Sequence, residues 1–261
     1  MNDATPAAPT RNGDPLPLTG ERTVPGIAEE NYWFRRHEVV YRHIAPRCAG
    51  RTVLEAGPGE GYGADLIAES ARLVVGVDYD VSAADHIAVR YPAVDITRGN
   101  LVDLPVADGV IDVVVTLQVI EHLWDQDRFV RECRRVLAPG GVLIMSTPNR
   151  ITFSPGRDTP LNPFHTRELD PAELTDLIVA GGFEVEQLTG VHHGPTLQEL
   201  DRRHGGSFVD AQIDRALAGE PWPDELARDV AGIGTEDFHL TDDHLDASLD
   251  LLIVARSPLA P

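Results

Sequence analysis

The feature that most constrains the fold of this chain is a glycine-rich turn set between two apolar runs. Val53 and Leu54 lead into Glu55, and Gly57-Pro58-Gly59-Glu60-Gly61 then opens a helix that the pattern places over 64–70. A second apolar run, Val74 to Val77, ends at Asp78, 21 residues beyond Gly57. Strand, glycine turn, helix and a second strand tipped by an acid make a nucleotide-binding βαβ unit. The glycines let the backbone turn sharply and come close to a ligand, and the acid accepts hydrogen bonds from a ribose diol. An adenosine-containing ligand is expected here.

Which ligand follows from departures from the dinucleotide pattern. A dinucleotide site presents a bare helix N-terminus to a pyrophosphate. Here Glu55 stands two residues ahead of Gly57, and a carboxylate in that place repels a pyrophosphate. It suits a ligand that carries an α-ammonium and a sulfonium, which is S-adenosylmethionine (SAM). With Glu55, Gly57, Gly59 and Gly61 at alternate positions, the chain resembles the class I SAM-dependent methyltransferases over roughly residues 50–190. The resemblance implies that Glu55 and backbone groups of the turn hold the methionine end, and that Asp78, with Tyr79 beside it, holds the ribose. After the third strand, Asn100 and Leu101 are placed against the adenine edge, with Gly99 freeing the backbone to approach. An ordinary turn asparagine is the alternative.

Hydrophobic periodicity predicts a helix over 31–44 and strands over 53–55, 73–78, 94–98, 110–117, 142–147, 183–188 and 249–255. Helices are expected over 82–90, 126–137 and 171–180, the last capped by Asp170 with Pro171 in its first turn. Seven strands alternating with helices make an α/β fold, a doubly wound, mostly parallel sheet of the Rossmann-like kind. Residues 1–18, with prolines at 6, 9, 15 and 17, are expected to be a disordered lead, and 19–49 a helical cover. The SAM-binding domain is then 50–261. Its final connection is abnormal: about 60 residues separate the last two predicted strands. Helical patterns over 197–203, 208–218 and 224–230 break it up, and 196–248 holds thirteen acids against four arginines. The expectation is an inserted acidic lid over 189–248, above the strand ends, packed through Leu197, Leu200, Phe208, Ile213, Leu217 and Trp222. A solvated excursion away from the substrate is the alternative.

The formal net charge of −20 argues against nucleic-acid or anionic-membrane partners, which need basic surfaces. All 22 bases are arginines, a composition that points to a GC-rich genome of the actinobacterial kind. Cys48 and Cys133 have no metal or disulfide spacing and read as buried thiols of a cytoplasmic protein. No apolar run is long enough to span a membrane.

Two further blocks carry chemistry. Leu117-Gln118-Val119-Ile120-Glu121-His122, after the fourth strand, resembles a segment of ubiquinone-pathway O-methyltransferases and of small-RNA 2′-O-methyltransferases. In those families Glu, Glu and His carry a divalent ion that activates the accepting hydroxyl. The resemblance implies a metal site, with Mg²⁺ as its ion, at Glu121, His122 and His165. Gln118 stands where the first Glu would be and is placed against the cofactor instead. A salt-bridged Glu121 and a packed His122 remain the alternative. Thr147-Pro148-Asn149 and Asn162-Pro163-Phe164-His165 follow the fifth strand, as in methyltransferases of sugars and quinols. His165 and His122 are the candidate catalytic bases, because an imidazole titrates near neutrality; a helix-capping His165 is the alternative.

At the N-terminus, Gly20-Glu21-Arg22-Thr23-Val24-Pro25 precedes the aromatic helix Tyr32-Trp33-Phe34-Arg35-Arg36. This opening is similar to that of methyltransferases of mycobacterial polymethylated polysaccharide (methylglucose lipopolysaccharide) assembly. Arg36 or Arg35 is expected to clamp the cofactor carboxylate with its planar fork; an amphipathic helix that only covers the core is the alternative. The expected activity is SAM-dependent O-methylation of a sugar or oligosaccharide. A phenol or quinol O-methyltransferase is the alternative enzyme, and a non-catalytic SAM-binding partner protein the alternative of another class. The sequence leaves the oligomeric state open.

Overall fold

The structure is a computed structural model describing Leu16 and residues 22–259. The expected lead over 1–18 lies outside the described residues except for Leu16, which is buried. The helices are α1 (Asn31–Cys48), α2 (Tyr62–Ala68), α3 (Val81–Arg90), α4 (Gln126–Val136), α5 (Arg150–Phe153), α6 (Pro171–Ala180), α7 (Pro195–Arg203), α8 (Phe208–Ala218) and α9 (Asp224–Ala231). The strands are β1 (Thr52–Ala56), β2 (Leu73–Asp78), β3 (Val94–Arg98), β4 (Ile111–Leu117), β5 (Leu137–Pro148), β6 (Glu184–His193), β7 (Phe238–Thr241) and β8 (Asp250–Arg256). Among the described residues no helix is long and apolar enough to cross a membrane.

One sheet runs β3-β2-β1-β4-β5-β8-β6-β7. The first five strands are parallel, and β8 is antiparallel to both β5 and β6. The expected seven strands are therefore corrected to eight. The additional strand, β7, comes from within the insertion and pairs His239 with His192 and Phe238 with His193. It exists because β6 continues five residues past the predicted end at Leu188 and offers a free edge. The core lies on both faces of the sheet, as expected when parallel strands are buried on each side. Phe129, Val130, Leu174 and Ile178 of α4 and α6 cover one face, and α1, α2 and α3 cover the other. Asp170 forms the capping box of α6 with Glu173, and Pro171 occupies its first turn.

The insertion folds as three helices close to their expected bounds. They belong to the packed body: Leu197, Leu200, Phe208, Leu226 and Val230 are buried in the same apolar cluster as Tyr32 and Ile44 of α1. The Tyr32 and Phe208 rings meet edge to face at 5.8 Å. Asn31 Nδ2 donates to the carbonyls of Val230 (2.8 Å) and Ile233 (3.0 Å), satisfying backbone acceptors at the end of α9. Leu217, expected to pack, is 82% exposed. The end of the insertion reaches the rim formed by the strand ends, where Asn149 Nδ2 donates to the carbonyls of Leu245 and Ser248.

Candidate active site

Parallel β1, β2, β4 and β5 end on one rim, so residues far apart in sequence meet there. β1 delivers Glu55, 1% exposed. Its Oε1 accepts the Tyr41 hydroxyl at 2.6 Å, whereas Oε2 is buried with no hydrogen-bond partner. Burial pushes this carboxyl up to about 7. The turn that follows is held at Gly57 N, which donates to Val77 O at 2.8 Å. Gly57 has φ +81°, and a Cβ there would lie 2.7 Å from Val119. At Gly61, with φ +102°, a Cβ would lie 2.6 Å from Ile87. Both positions demand glycine. At Gly59, with φ +60°, a Cβ would lie 3.8 Å from Arg22 Cβ, an ordinary contact.

Asp78 ends β2 with its carboxylate held by two backbone amides, Gly59 N on Oδ2 (3.1 Å) and Asp80 N on Oδ1 (2.9 Å). A second lone pair on each oxygen remains for a diol. Tyr79 is exposed, with the Arg98 guanidinium 5.7 Å from its ring centre. Gly99 N donates to Asp78 O, bringing the ends of β2 and β3 together. Asn100 Oδ1 accepts Val102 N at 3.1 Å, an Asx turn that leaves its amide nitrogen available, and Leu101 is buried beneath the glycine turn.

Gln118 lines the same cleft. Its φ of +57° is a left-handed conformation that a non-glycine residue adopts at some strain, and its amide Nε2 donates to Ser146 Oγ at 3.2 Å. Arg22, Thr23, His37 and Tyr62, all outside the sequence expectations for the cofactor, also line the cleft. Arg22 is anchored by Asp80 at 2.6 Å, and burial pushes His37 down to about 4, so it is neutral at physiological pH. Cavity size does not mark this site: a larger cavity, about 610 Å³, is lined by the insertion alone, around His204, Asp210, Asp214 and Glu225.

Arg36 is corrected as a cofactor clamp. Its Nε and Nη2 bond both oxygens of Asp250 at 2.6 Å, and Nη2 also donates to Leu249 O. The fork is consumed in a buried pair that ties α1 to β8, and Arg22 is the arginine that faces the glycine turn.

The second group of residues lies beyond β4 and β5. Ile120–His122 is a 3-10 turn pinned by the wholly buried Ile120. Gln126 Nε2 donates to Ile120 O and Arg167 O, and Thr166 N donates to Glu121 O at 2.7 Å. These bonds stitch the loop carrying His165 onto the one carrying Glu121. The result brings Glu121, His122 and His165 together, with ligand-capable atoms all within 4.8 Å of one another. Glu121 is 1% exposed and accepts the Thr147 hydroxyl at 3.1 Å. Burial pushes its carboxyl up to about 8. His122 Nδ1 lies 3.1 Å from Phe164 O. The His165 ring stacks on Phe153 at 5.3 Å and meets the His122 ring edge-on at 4.9 Å. Its Nδ1 lies 2.7 Å from Glu168 Oε1.

This donor set does not fit Mg²⁺. Magnesium requires a hard, near-octahedral oxygen shell, whereas the cluster offers two imidazoles and one carboxylate whose burial favours the protonated form. Gln118, at the place of the missing acid, is turned to Ser146. Without a magnesium ion, the cluster supplies an imidazole base close to two hydrogen-bonding groups.

A protein-family model described as a methyltransferase domain matches residues 54–145, from the middle of β1 into β5. A probable S-adenosylmethionine-dependent methyltransferase of Mycolicibacterium smegmatis is 62% identical over 261 residues, covering 99% of this chain and 100% of the relative. The chain belongs to the SAM-dependent methyltransferases. A ubiquinone biosynthesis O-methyltransferase of Coxiella burnetii is 27% identical over 173 residues, covering 58% of this chain and 71% of that enzyme. The solved structure of a SAM-dependent methyltransferase from Thermotoga maritima superimposes with a TM-score of 0.58 at 19% identity, covering 89% of this chain and 96% of that one. That likeness shows the shared α/β fold. Membership of the family makes SAM the cofactor of this methyltransferase.

Proposed function

We propose that this methyltransferase transfers the methyl group of SAM to a hydroxyl of a sugar or oligosaccharide. The observation that carries the reading is the convergence of Glu121, His122 and His165 on the rim that also holds Glu55, Asp78 and Gln118. A hydroxyl is a weak nucleophile and needs a base when it attacks. In this reading the cofactor's ammonium meets the unpartnered Oε2 of Glu55, and Arg22 takes its carboxylate. Asp78 takes the ribose diol, and Asn100 with the Leu101 amide takes the adenine. The acceptor oxygen attacks the methyl carbon in line as the carbon–sulfur bond breaks. The bonding pair passes to sulfur, giving S-adenosylhomocysteine, and the hydroxyl proton passes to His165. Positioning of the two reactants supplies much of the acceleration. The net charge of −20 supports a neutral, polyhydroxylated acceptor over a nucleic acid or an acidic metabolite. Two unpaired, buried cysteines support a cytoplasmic enzyme.

The likeness to the Coxiella burnetii enzyme favours a second reading, in which the acceptor is a phenol or quinol. Release of S-adenosylhomocysteine, measured side by side with neutral gluco-oligosaccharides and with a catechol, separates the two. Turnover with the oligosaccharides is expected. Turnover with the catechol alone would move the assignment to the second reading, and SAM binding without turnover on either would favour a non-catalytic SAM-binding protein.

A further inference from the structure

We propose that Glu168 is a positioning residue that fixes the tautomer of His165, so that Nε2 is the atom that accepts the proton of the substrate hydroxyl. The inference rests on the hydroxyl-transfer reading and adds a residue to it.

Glu168 is 3% exposed and comes from a loop, three residues after His165. Its Oε1 lies 2.7 Å from His165 Nδ1, and both side chains are almost wholly buried. An ionised carboxylate only accepts, so Nδ1 carries the hydrogen and Nε2 is left with its lone pair. The opposite side of the ring specifies the same arrangement independently. Asn162 places its amide nitrogen 3.2 Å from Nε2, and that amide cannot be reversed without loss because its Oδ1 already accepts Phe164 N at 3.0 Å. Asn162 therefore donates to Nε2, which marks Nε2 as the nitrogen without hydrogen, and the substrate hydroxyl takes the place of that amide when it binds. Phe153 stacked at 5.3 Å fixes the plane of the ring. Two neighbours and a ring contact thus specify one orientation and one tautomer.

The other oxygen of Glu168, Oε2, is buried without a hydrogen-bond partner. A carboxylate satisfied at one oxygen only is a costly structural element, because burying charge is unfavourable unless it is fully paired. Its return comes during the reaction. When the hydroxyl proton moves to Nε2, the ring becomes an imidazolium, and Glu168 is the anion that faces its Nδ1–H. The proton balance is complete: the neutral hydroxyl and the sulfonium become an ether and a thioether, and the released proton resides on His165.

The test combines one observation that needs no substrate with one that does. In ¹⁵N spectra of histidine-labelled protein, with His165 assigned by its loss in His165→Gln, the Nδ1–H form is expected at neutral pH. Glu168→Gln preserves shape and removes the buried charge. With a gluco-oligosaccharide as probe acceptor it should lower kcat by about 10–100-fold, the usual effect of an outer partner of a functional histidine. The KM for the oligosaccharide, the Kd for SAM and the unfolding midpoint should be unchanged or improved. A merely structural Glu168 would leave kcat unaltered in this variant, and that result would overturn the proposal. So would an Nε2–H tautomer in the unaltered protein. If no hydroxyl acceptor is methylated while the Nδ1–H tautomer is found, the hydroxyl-transfer reading fails and the role of Glu168 in orienting the ring stands.

Discussion

Buried Glu55 makes cofactor affinity depend on pH. Its carboxyl is 1% exposed and pushed up to about 7, first by burial, with Asp78 adding to the shift and the Tyr41 hydrogen bond opposing it. A raised carboxyl contributes stability that is full below its unfolded pKa and is lost as pH rises through 7, so the cofactor-free protein weakens over that interval. Binding of an ammonium at Oε2 runs the other way, because it requires the carboxylate. With a single titrating group at about 7, the ratio (1 + 10^1.5)/(1 + 1) predicts that SAM binds about 16-fold more tightly at pH 7 than at pH 5.5. That is roughly 1.6 kcal/mol. His37 stays neutral across this range and adds no pH dependence of its own. Isothermal titration calorimetry in buffers of different ionisation enthalpy reads both affinity and proton release. About half a proton should be released at pH 7 and nearly one at pH 5.5. In Glu55→Gln the dependence should vanish and the affinity at pH 7 should fall. A flat affinity in the unaltered protein, with no proton release, would refute the placing of the ammonium at Glu55.

Asp78→Ala should weaken SAM binding by about 1.5–3 kcal/mol, the range for hydrogen bonds to a charged group; calorimetry showing unaltered affinity would remove Asp78 from the ribose site. Phe208→Ala should lower stability to urea by about 3–5 kcal/mol, because the ring is fully buried against Tyr32. A loss within about 0.5 kcal/mol would mean that the insertion is a peripheral excursion. EDTA should leave both SAM binding and methyl transfer intact, since the Glu121, His122 and His165 set does not match magnesium. Loss of turnover that added Mg²⁺ restores would contradict that argument.

The βαβ unit was legible because its signals are local: positive φ at Gly57 and Gly61 demands glycine, and Glu55 and Asp78 lie at fixed places along the motif. The meeting of Glu121, His122 and His165 was legible because parallel strands deliver their following loops to one rim. Arg36 was misread because its partner, Asp250, is 214 residues away, and no local pattern announces a long-range pair. Glu168 was missed for a related reason. A three-residue spacing in a loop has no fixed geometry, and only the folded loop turns it onto His165. The helices of the insertion showed that each has an apolar face, but amphipathic spacing does not say what that face meets. It met α1 and the sheet, and residues 238–241 were too short to read as a strand.

The most direct test of methyl transfer to oxygen is to supply SAM with a ¹³C-labelled methyl group and identify the atom that receives it in a gluco-oligosaccharide. The expected result is a single new O-methyl resonance on a sugar carbinol, appearing with one equivalent of S-adenosylhomocysteine. His165→Gln should slow its appearance by about 10²–10⁴-fold, the contribution of a positioned base. A label found on nitrogen or carbon, or an unaffected rate in His165→Gln, would contradict the account.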